Sequence, residues 1–243
     1  MVAGPRGVAV RLAAIGDLHC TTASGDEIER IAASLAGRTD VLVLAGDLTN
    51  VGLVGEMQVL LDGLAALPVP KVAVTGNHDH ESGLVDVLVA MMRAAGWHVL
   101  DGEAWELDGV GFVGTKGFCG GFGERRLMPF GETGIKTFIQ TSMDEAARLE
   151  AALADLHTDR KVAVLHYAPI VGTLAGEDPQ IFPFLGYSRF ADVVDRHGAD
   201  LIVHGHAHGG APHGETPAGI PVHNVSRYVL RRCGPEEFLL VDL

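Results

Sequence analysis

The sequence predicts an α/β fold in which two packed, mixed β-sheets are covered by helices. Apolar runs of strand length alternate with amphipathic segments of helix length, which is typical of parallel βαβ units. Residues 97–115 and 220–243 contain short strands and tight turns, which are typical of antiparallel hairpins. Parallel units combined with hairpins favour two sheets over a single open sheet. The 243 residues, 47% hydrophobic and 20% charged, predict a single domain over residues 1–243.

Five apolar runs predict strands that are buried on both faces. Each is rich in β-branched residues, and most end in a glycine or a histidine. In chain order they span residues 8–16, 41–46, 71–76, 161–166 and 201–205. The dipeptide Asp108-Gly109 predicts the turn of a hairpin in the region 97–115, because this pair favours a two-residue turn.

Five amphipathic segments predict helices between these strands. They span residues 24–36, 53–67, 82–95, 142–156 and 188–197. Ser24 with Glu27, and Ser142 with Glu145, have the spacing of a capping box and therefore predict two of the helix starts. Glycine or proline follows most of the predicted helix ends.

Two long segments rich in Gly, Pro and Phe show no clear period. Long irregular segments in compact domains are often functional, so we expect residues 116–140 and 168–186 to be lids that select the substrate. Arg125, in the first segment, could reach a substrate phosphate. A solvated surface arginine is the simpler alternative, because no motif surrounds it.

Charge and cysteine content limit the possible partners and compartment. The formal net charge of −13 argues against nucleic acid as a partner, although bound metal ions would still attract a small phosphorylated substrate. The three cysteines form neither a disulfide framework nor a zinc pattern, which fits a reducing compartment. No segment approaches the ~18 apolar residues of a membrane span. We therefore expect a cytoplasmic protein without membrane attachment; the oligomeric state stays open.

Side chains that can bind metal ions follow all five predicted strands. They are Asp17 and His19, Asp47, Asn77 with His78 and Asp79, His166, and His206 with His208. Because sites in α/β sheets gather at the carboxyl ends of strands, we expect these groups to converge. Glycine precedes most of the motifs, where it allows a sharp bend and close packing.

Each motif also has a simpler interpretation. Asp17-x-His19 is a common pattern by chance, and a Gly-Asp pair such as Gly46-Asp47 is usually an ordinary turn or helix cap. His206 and His208 are more informative, because two imidazoles after an apolar strand are costly without partners. All five motifs in this order, each after a strand, are hard to explain as coincidences.

Taken together, the motifs resemble the calcineurin-like metallophosphoesterase superfamily. The resembling motifs are Asp17-Leu18-His19, Gly46-Asp47, Gly76-Asn77-His78-Asp79, His166 and Gly205-His206-Ala207-His208. The sequence Gly46-Asp47-Leu48-Thr49-Asn50 is especially similar to class III cyclic-nucleotide phosphodiesterases and to purple-acid-phosphatase-like members. The resemblance implies a metallo-dependent phosphatase-like fold, a four-layer αββα sandwich with a dinuclear site at one edge.

The resemblance also implies which residues hold each of two divalent ions. Asp17, His19 and His208 would hold one ion, Asn77, His166 and His206 would hold the other, and Asp47 would bridge them. A donor set of imidazole, carboxylate and amide without thiolate favours Mn, Fe, Zn, Ni or Co. A hydroxide between the ions, derived from water whose pKa is lowered to about 7, would attack the phosphorus.

Residues beside the implied ligands are further candidates. The resemblance implies that His78 protonates the leaving alkoxide or stabilises the phosphate, with Asp79 fixing its orientation; a purely structural histidine is the alternative. Asn50 could face the pocket or cap a helix. His223 could line the rim of the site or simply lie on the surface.

The sequence therefore predicts a hydrolase that cleaves a small phosphomonoester or phosphodiester. A nuclease with the same chemistry is one alternative, which the acidic charge disfavours. A binding or scaffold protein that has lost catalysis is another. The presence of all seven expected ligands and His78 argues against that alternative.

Overall fold

Two mixed β-sheets form the centre of the protein. The structure is a computed structural model that describes residues 9–243, so Val8, the first residue of the first predicted strand, lies outside it. The strands are β1 (Arg11–Ile15), β2 (Val41–Ala45), β3 (Lys71–Val74), β4 (His98–Val99), β5 (Glu103–Leu107), β6 (Val110–Thr115), β7 (Arg160–Leu165), β8 (Leu201–His204), β9 (His213–Glu215), β10 (Pro221–Asn224) and β11 (Leu239–Asp242).

The first sheet has the order β11-β1-β2-β3-β4, and the second has the order β5-β6-β7-β8-β10-β9. Strands β1 to β4 run parallel to one another, and β11 is antiparallel to β1. In the second sheet, β6, β7, β8 and β10 are parallel, whereas β5 and β9 are antiparallel edge strands. All five predicted strands are confirmed within the described residues.

Helices lie on the outer face of each sheet. They are α1 (Gly25–Leu35), α2 (Val54–Leu64), α3 (Asn77–His80), α4 (Val85–Ala94), α5 (Thr133–Asp155), α6 (Phe182–Leu185), α7 (Arg189–His197) and α8 (Arg227–Cys233). Buried side chains of α1, α2 and α4 pack on the first sheet, and those of α5 and α7 pack on the second. Three of the five predicted helices, α1, α2 and α7, lie close to their predicted bounds. Helix α4 starts three residues later than predicted.

Alternation along the strands separates the core into layers. In β2, Leu42 and Leu44 face the helices, whereas Val41, Val43 and Ala45 lie between the two sheets. Both faces of this strand are fully buried, which explains its uninterrupted apolar sequence. The result is the four-layer αββα sandwich that the resemblance implied.

Both predicted capping boxes are wrong. Helix α5 begins at Thr133 rather than Ser142, so residues 133–140 are helical. Ser142 and Glu145 are buried inside it, where Ser142 donates a hydrogen bond to the Cys119 carbonyl and Glu145 accepts one from the Thr115 hydroxyl. Ser142 and Glu145 therefore contact the end of β6 and the segment after it, and neither lies at a helix start.

At α1 the helix starts as predicted, but its first residues do not cap it. The Ser24 hydroxyl accepts a hydrogen bond from the Thr21 amide at 3.0 Å, and no side-chain cap is formed. The Glu27 carboxylate is instead paired with Arg227 and Arg231 of α8. Glu27 therefore forms ion pairs with residues far along the chain instead of the local cap that its spacing from Ser24 predicted.

The two hairpin regions have different outcomes. The Asp108-Gly109 turn is confirmed, since β5 and β6 pair antiparallel and both turn residues have positive φ angles of 47° and 84°. In the region 220–243, β10 and β11 are strands, but residues 227–233 form helix α8 between them. The prediction of strands alone is wrong there.

The two segments predicted as lids pack against each other. The Gly121 amide donates to the Gly186 carbonyl at 2.9 Å, and the Gly120 amide donates to the Pro183 carbonyl at 2.8 Å. Besides the start of α5 and helix α6, they contain three 3-10 turns at residues 123–125, 172–174 and 179–181. Their role as lids stays a prediction. Within residues 9–243 no helix has the length and apolar character needed to cross a membrane.

Candidate metal centre

The candidate ligands converge where the two sheets meet. Asp17, Asp47 and Asn77 follow β1, β2 and β3 of the first sheet, whereas His166 and His206 follow β7 and β8 of the second. Parallel strands deliver their carboxyl ends to the same edge, as the sequence predicted for an α/β site. The site is therefore assembled from both halves of the sandwich.

Four side chains form a first group. Asp17, His19, Asp47 and His208 each offer one ligand atom, and these atoms lie within 4.8 Å of one another. His208 Nε2 is 3.0 Å from Asp17 Oδ1 and 3.5 Å from His19 Nε2. Two ligands about 2.1 Å from a shared ion are roughly 3 Å apart when they sit at right angles. The spacing fits one metal ion.

A second group contains Asp47 again, with His166 and His206. His166 Nε2 lies 3.0 Å from Asn77 Oδ1 and 3.4 Å from Asp47 Oδ1. The other ring nitrogen of His166 is 2.9 Å from the Ala45 carbonyl. A proton on that nitrogen would be donated to the carbonyl, which leaves Nε2 free to bind a metal.

Asp47 is shared because its two oxygens face different groups. Oδ1 lies 3.4 Å from His166 Nε2, whereas Oδ2 lies 3.8 Å from His19 Nε2. The Asp47 side chain is almost fully buried, and the His78 amide donates to Oδ1 at 2.8 Å, which fixes the carboxylate plane. Each oxygen can therefore serve a different ion, as a bridging ligand must.

The backbone is held in an unfavourable conformation at four of these residues. Asp17, His19, Asp47 and His206 have φ angles of 56°, 44°, 47° and 68°. Within residues 9–243, the other non-glycine residue with positive φ is Asp108, in the hairpin turn. Such left-handed conformations persist only where surrounding contacts enforce them, and they cluster at functional sites. The strain therefore marks this edge of the sandwich as a candidate site.

Two of the expected glycines allow close packing at the centre. A Cβ atom on Gly46, whose φ is 82°, would lie 2.5 Å from His166 Nδ1. A Cβ atom on Gly76 would overlap the Asp47 carboxylate. The interpretation of these glycines as points of close approach is confirmed, since any side chain would displace a candidate ligand.

The buried charges perturb one another's pKa. Burial alone would raise the pKa of Asp47, but the His166 charge and hydrogen bond outweigh it, so this pKa is lowered. For His166, burial opposes protonation, yet the neighbouring Asp47 and Asp17 carboxylates raise its pKa to about 9. Burial, aided by the His166 charge, lowers the pKa of His206 to about 3.

These groups suit divalent cations. Two buried carboxylates share the pocket with imidazoles, and a neutral imidazole with an ionised carboxylate is the form that binds a metal. The His206 Nε2 lies 3.3 Å from the Phe184 carbonyl, so a proton there leaves Nδ1 as the ligand atom. The residues present therefore fit a metal site, whereas their individual ligand roles stay predictions.

His78 contacts the loop after β2 and the first ligand group. Its Nδ1 lies 2.5 Å from the Asn50 carbonyl, and its ring is 4.4 Å from the His19 ring. Within residues 9–243 no hydrogen bond joins the Asp79 carboxylate to the His78 ring, so the expectation that Asp79 orients His78 stays a prediction. The buried Asp79 carboxylate accepts hydrogen bonds from the amides of Leu48, Thr49 and Gly76 and from the Thr49 hydroxyl.

Asp79 therefore joins the loop after β2 to the turn after β3. Burial raises the pKa of Asp79, and although the hydrogen bonds from Thr49 and Gly76 act in the opposite direction, the pKa stays above its ordinary value. Asn50 lies beside the centre, but its recorded contact to His78 is through its backbone carbonyl. The expectation that Asn50 binds substrate stays a prediction.

The other two proposed substrate residues are not joined to either group. Arg125 is exposed at the end of a 3-10 turn, and within residues 9–243 no hydrogen bond joins its side chain to another residue. His223 lies half-buried on β10, with its ring 6.5 Å from that of His213. Both roles stay predictions without a direct contact to support them.

A cavity of about 770 Å³ lies between the two predicted lid segments and the start of α7. Phe122, Met128, Ile170 and Val171 form much of its apolar lining, and its lining residues include none of the candidate ligands. Pro169, in its wall, is the third residue after His166. An extended chain spans at most ~3.6 Å per residue, so Pro169 lies within about 11 Å of that ligand.

Sequence reasoning missed four residues that touch the groups. The Tyr228 ring stacks on His208 with centroids 4.4 Å apart, and the Tyr167 ring lies 4.3 Å from His206. Arg232 donates to the His208 carbonyl, and the Phe184 carbonyl faces His206. Tyr167 directly follows a predicted ligand, which was a usable signal; the others come from segments with no recognised motif.

Comparison with protein families decides the classification. The model of the calcineurin-like phosphoesterase family matches residues 10–210, which covers most of the chain. The chain belongs to this family. Helix α8 and strand β11 lie beyond the matched residues. No curated protein sequence matches the chain.

Solved structures of other proteins share the fold. A phosphopantetheinyl hydrolase from Mycobacterium tuberculosis is 19% identical, with a TM-score of 0.67 and coverage of 97% of each chain. A protein of Thermus thermophilus is 15% identical, with a TM-score of 0.59 and coverage of 97% of this chain and 99% of its own. GAP50, the anchor in the inner membrane complex of Plasmodium, is 12% identical, with a TM-score of 0.57 and coverage of 90% and 72%. At these identities the likeness concerns the fold.

Proposed function

We propose that this calcineurin-like phosphoesterase hydrolyses a small phosphomonoester or phosphodiester with the help of two divalent metal ions. The observation that carries the proposal is the position of Asp47, whose two oxygens face two separate groups of ligand atoms. A carboxylate shared in this way suits two ions about 3.5–4 Å apart.

The donor set supports Mn, Fe, Zn, Ni or Co as the ions. When bound, the ions would acidify an attacking water and neutralise the phosphoryl oxygens as charge develops. One ion would be held by Asp17, His19 and His208. The other ion would be held by Asn77, His166 and His206, and Asp47 would bind both ions. Strained backbone at four of these residues pre-organises the groups, which reduces the reorganisation that catalysis requires.

His78 is proposed to donate a proton to the leaving oxygen. Its Nδ1 is held against the Asn50 carbonyl, so its other nitrogen is free to face a substrate beside His19. Because a carbonyl only accepts hydrogen bonds, Nδ1 keeps its proton, and the proton transferred to the leaving oxygen is the one that Nε2 carries in the imidazolium form. A general acid must stand within hydrogen-bond reach of the leaving group, and a position next to the first ligand group satisfies that requirement.

The rest of the substrate is proposed to lie along the predicted lid segments. The cavity lined by Phe122, Met128, Ile170 and Val171 has a volume of about 770 Å³, which is within the usual range for small-molecule sites. The net charge of −13 disfavours a nucleic-acid substrate. A small phosphorylated molecule is therefore the proposed partner.

The test is a phosphoester panel assayed after chelation and after reconstitution with single divalent metals. The panel contains p-nitrophenyl phosphate, bis-p-nitrophenyl phosphate, nucleotides, cyclic nucleotides and a phosphopantetheinyl phosphodiester, the last because one protein of similar fold is a phosphopantetheinyl hydrolase. We expect hydrolysis of at least one class that chelation removes and a metal restores. No turnover on any member with any metal would overturn the proposal.

A further inference from the structure

The segment from β10 through α8 contacts two of the three loops that carry the first ligand group, those after β1 and β8. The Asn224 amide donates to the Ala207 carbonyl at 2.7 Å. Arg227 donates to the Leu18 carbonyl at 3.1 Å. Leu18 lies between Asp17 and His19, and Ala207 lies between His206 and His208. Each contact therefore reaches the backbone between two candidate ligands.

Two residues of α8 act on His208 itself. The Tyr228 ring is stacked on the His208 imidazole, with centroids 4.4 Å apart and an interplanar angle of 26°. The Arg232 guanidinium donates to the His208 carbonyl and, at 2.9 Å, to the Gly210 carbonyl. One residue thus restrains the ring of this ligand, and the other restrains its backbone.

We propose that helix α8 sets the metal affinity of the first ligand group, with Arg232 and Tyr228 as positioning residues. The inference rests on the proposed function, since it assumes that Asp17, His19, Asp47 and His208 hold an ion. It adds a control element from the part of the chain that follows the residues matched to the family.

His208 needs such support because little else restrains it. Its side chain is 39% exposed, and it lies in a loop without regular secondary structure after β8. Its other polar side-chain contacts are with Asp17 and His19, which would themselves be ligands. Groups that orient a ligand from outside typically change metal affinity by about 10–100-fold when they are removed.

Helix α8 is a firm support because ion pairs anchor it to α1. Arg227 is 5% exposed and pairs with Glu27, and Arg231 pairs with both Glu27 and Glu237. Glu237 also forms an ion pair with Arg30 of α1, at 3.1 Å. A network of several charges with a buried member holds its geometry better than an isolated surface pair.

The second ligand group has no such support. Within residues 9–243, no hydrogen bond or ring contact joins α8 to Asn77, His166 or His206. Loss of an α8 contact should therefore weaken the binding of one metal ion and leave the binding of the other unchanged. This selectivity separates positioning from general loss of structure.

The sign of the effect separates positioning from simple electrostatics. Arg232 carries a positive charge, so its removal would strengthen cation binding if charge alone mattered. If its hydrogen bonds position His208, its removal weakens binding instead. Arg232→Lys keeps the charge but loses the planar pair of donors, so it should also weaken the first site.

The experiment titrates metal-free protein with Mn²⁺ by calorimetry and follows paired ions by electron paramagnetic resonance. We expect Arg232→Ala and Tyr228→Ala to weaken one of two sites by at least ~10-fold and leave the other unchanged. In these two variants, at Mn²⁺ concentrations that fill only the tighter site, the resonance spectrum should be that of single ions instead of coupled pairs. Tyr228→Phe, which keeps the ring, should behave as wild type.

Arg231→Ala is the matched control, because Arg231 is adjacent on α8 but pairs with Glu27 and Glu237 instead of the ligand loop. The buried Arg227 pairs with the same two glutamates, so it keeps α8 anchored to α1 in this variant. Equal losses in Arg231→Ala and Arg232→Ala would overturn the positioning role, as would unchanged or tighter binding in Arg232→Ala. Failure of the wild-type protein to bind two ions would instead overturn the proposed function, and this inference with it. Thermal unfolding of each metal-free variant shows whether it folds.

Discussion

The Asp47 carboxylate lies 3.4 Å from His166 Nε2, although the two residues follow strands of different sheets. Asp47 comes after β2 of the first sheet, and His166 comes after β7 of the second. Both side chains are buried, so water screens their interaction poorly. The candidate centre therefore exists only when the two sheets are packed, and the predictions below probe its parts separately.

Asp47→Asn should reduce metal-dependent hydrolysis by at least ~100-fold, because an amide cannot offer a charged oxygen to each of two ions. The kcat on the best substrate of the panel measures the effect. Metal-free Asp47→Asn should retain the wild-type circular dichroism spectrum. Asp26→Asn, an exposed change on α1, serves as the control and should keep full activity. Undiminished turnover in Asp47→Asn would exclude the bridging role.

His78→Ala should slow substrates with poor leaving groups by about 10²–10⁴-fold and p-nitrophenyl esters by much less, since a good leaving group needs no proton. The ratio of kcat on an alkyl ester to kcat on a p-nitrophenyl ester reports this. His80→Ala is the control, because His80 lies two residues away and contacts Thr75 rather than the centre. Equal losses on both esters would contradict the general-acid role.

Asp79→Asn should lower the free energy of unfolding by about 2–3 kcal/mol. Each Asp79 oxygen accepts two hydrogen bonds, so an amide group in either orientation turns its NH₂ toward two donors. Urea unfolding of the metal-free protein measures the loss, with exposed Asp62→Asn as the control. A variant of wild-type stability that changes only the leaving-group dependence would support the original expectation that Asp79 acts through His78.

Chelation should lower the thermal stability of the protein, and Mn²⁺ should restore it. Ions that bind the folded state alone stabilise it by about 2.7 kcal/mol when the free ion is 100-fold above its dissociation constant. Differential scanning fluorimetry over a metal series measures the shift in Tm. The same series on Asp47→Asn should give a smaller shift, whereas an equal shift would place the stabilising ion elsewhere.

Glu27→Gln should destabilise the protein at neutral pH but not in strong acid. The hydrogen bond from Arg227 is opposed by burial yet lowers the pKa of Glu27 to about 2, below its ordinary value of 4.5. A carboxyl whose folded pKa is depressed contributes stability above about pH 4.5, and that contribution is lost as the pH falls through about 2.

The Glu27 side chain is 36% exposed, so solvent screening limits its contribution to the free energy of unfolding to about 1 kcal/mol. Urea unfolding of metal-free wild type and Glu27→Gln at pH 6 and pH 3 should show a difference that shrinks at the lower pH. Glu29→Gln, for which no ion pair is found within residues 9–243, is the control. A constant difference at both pH values would show that the Glu27 charge is not responsible.

The sequence by itself determined the strands, most helices and the identity of the candidate ligands. Buried parallel strands need uninterrupted apolar residues, so runs such as residues 41–46 are visible without tertiary information. The ligands were visible for a related reason: polar, metal-competent side chains directly after such strands have no role in a core. Gly46 and Gly76 were recognisable because close approach excludes every other residue.

Only the tertiary structure decided the residues whose role depends on distant partners. Glu27 and Glu145 have the spacing of helix caps, but Arg227 and Thr115 bind them, and no local pattern reveals a partner so far along the chain. Asp79 binds the loop after β2 rather than His78 for the same reason. Helix α8 was missed because it is short and its Tyr228-Val229-Leu230 run suits a strand equally well. Its contacts with α1 and His208 exist only in the folded protein.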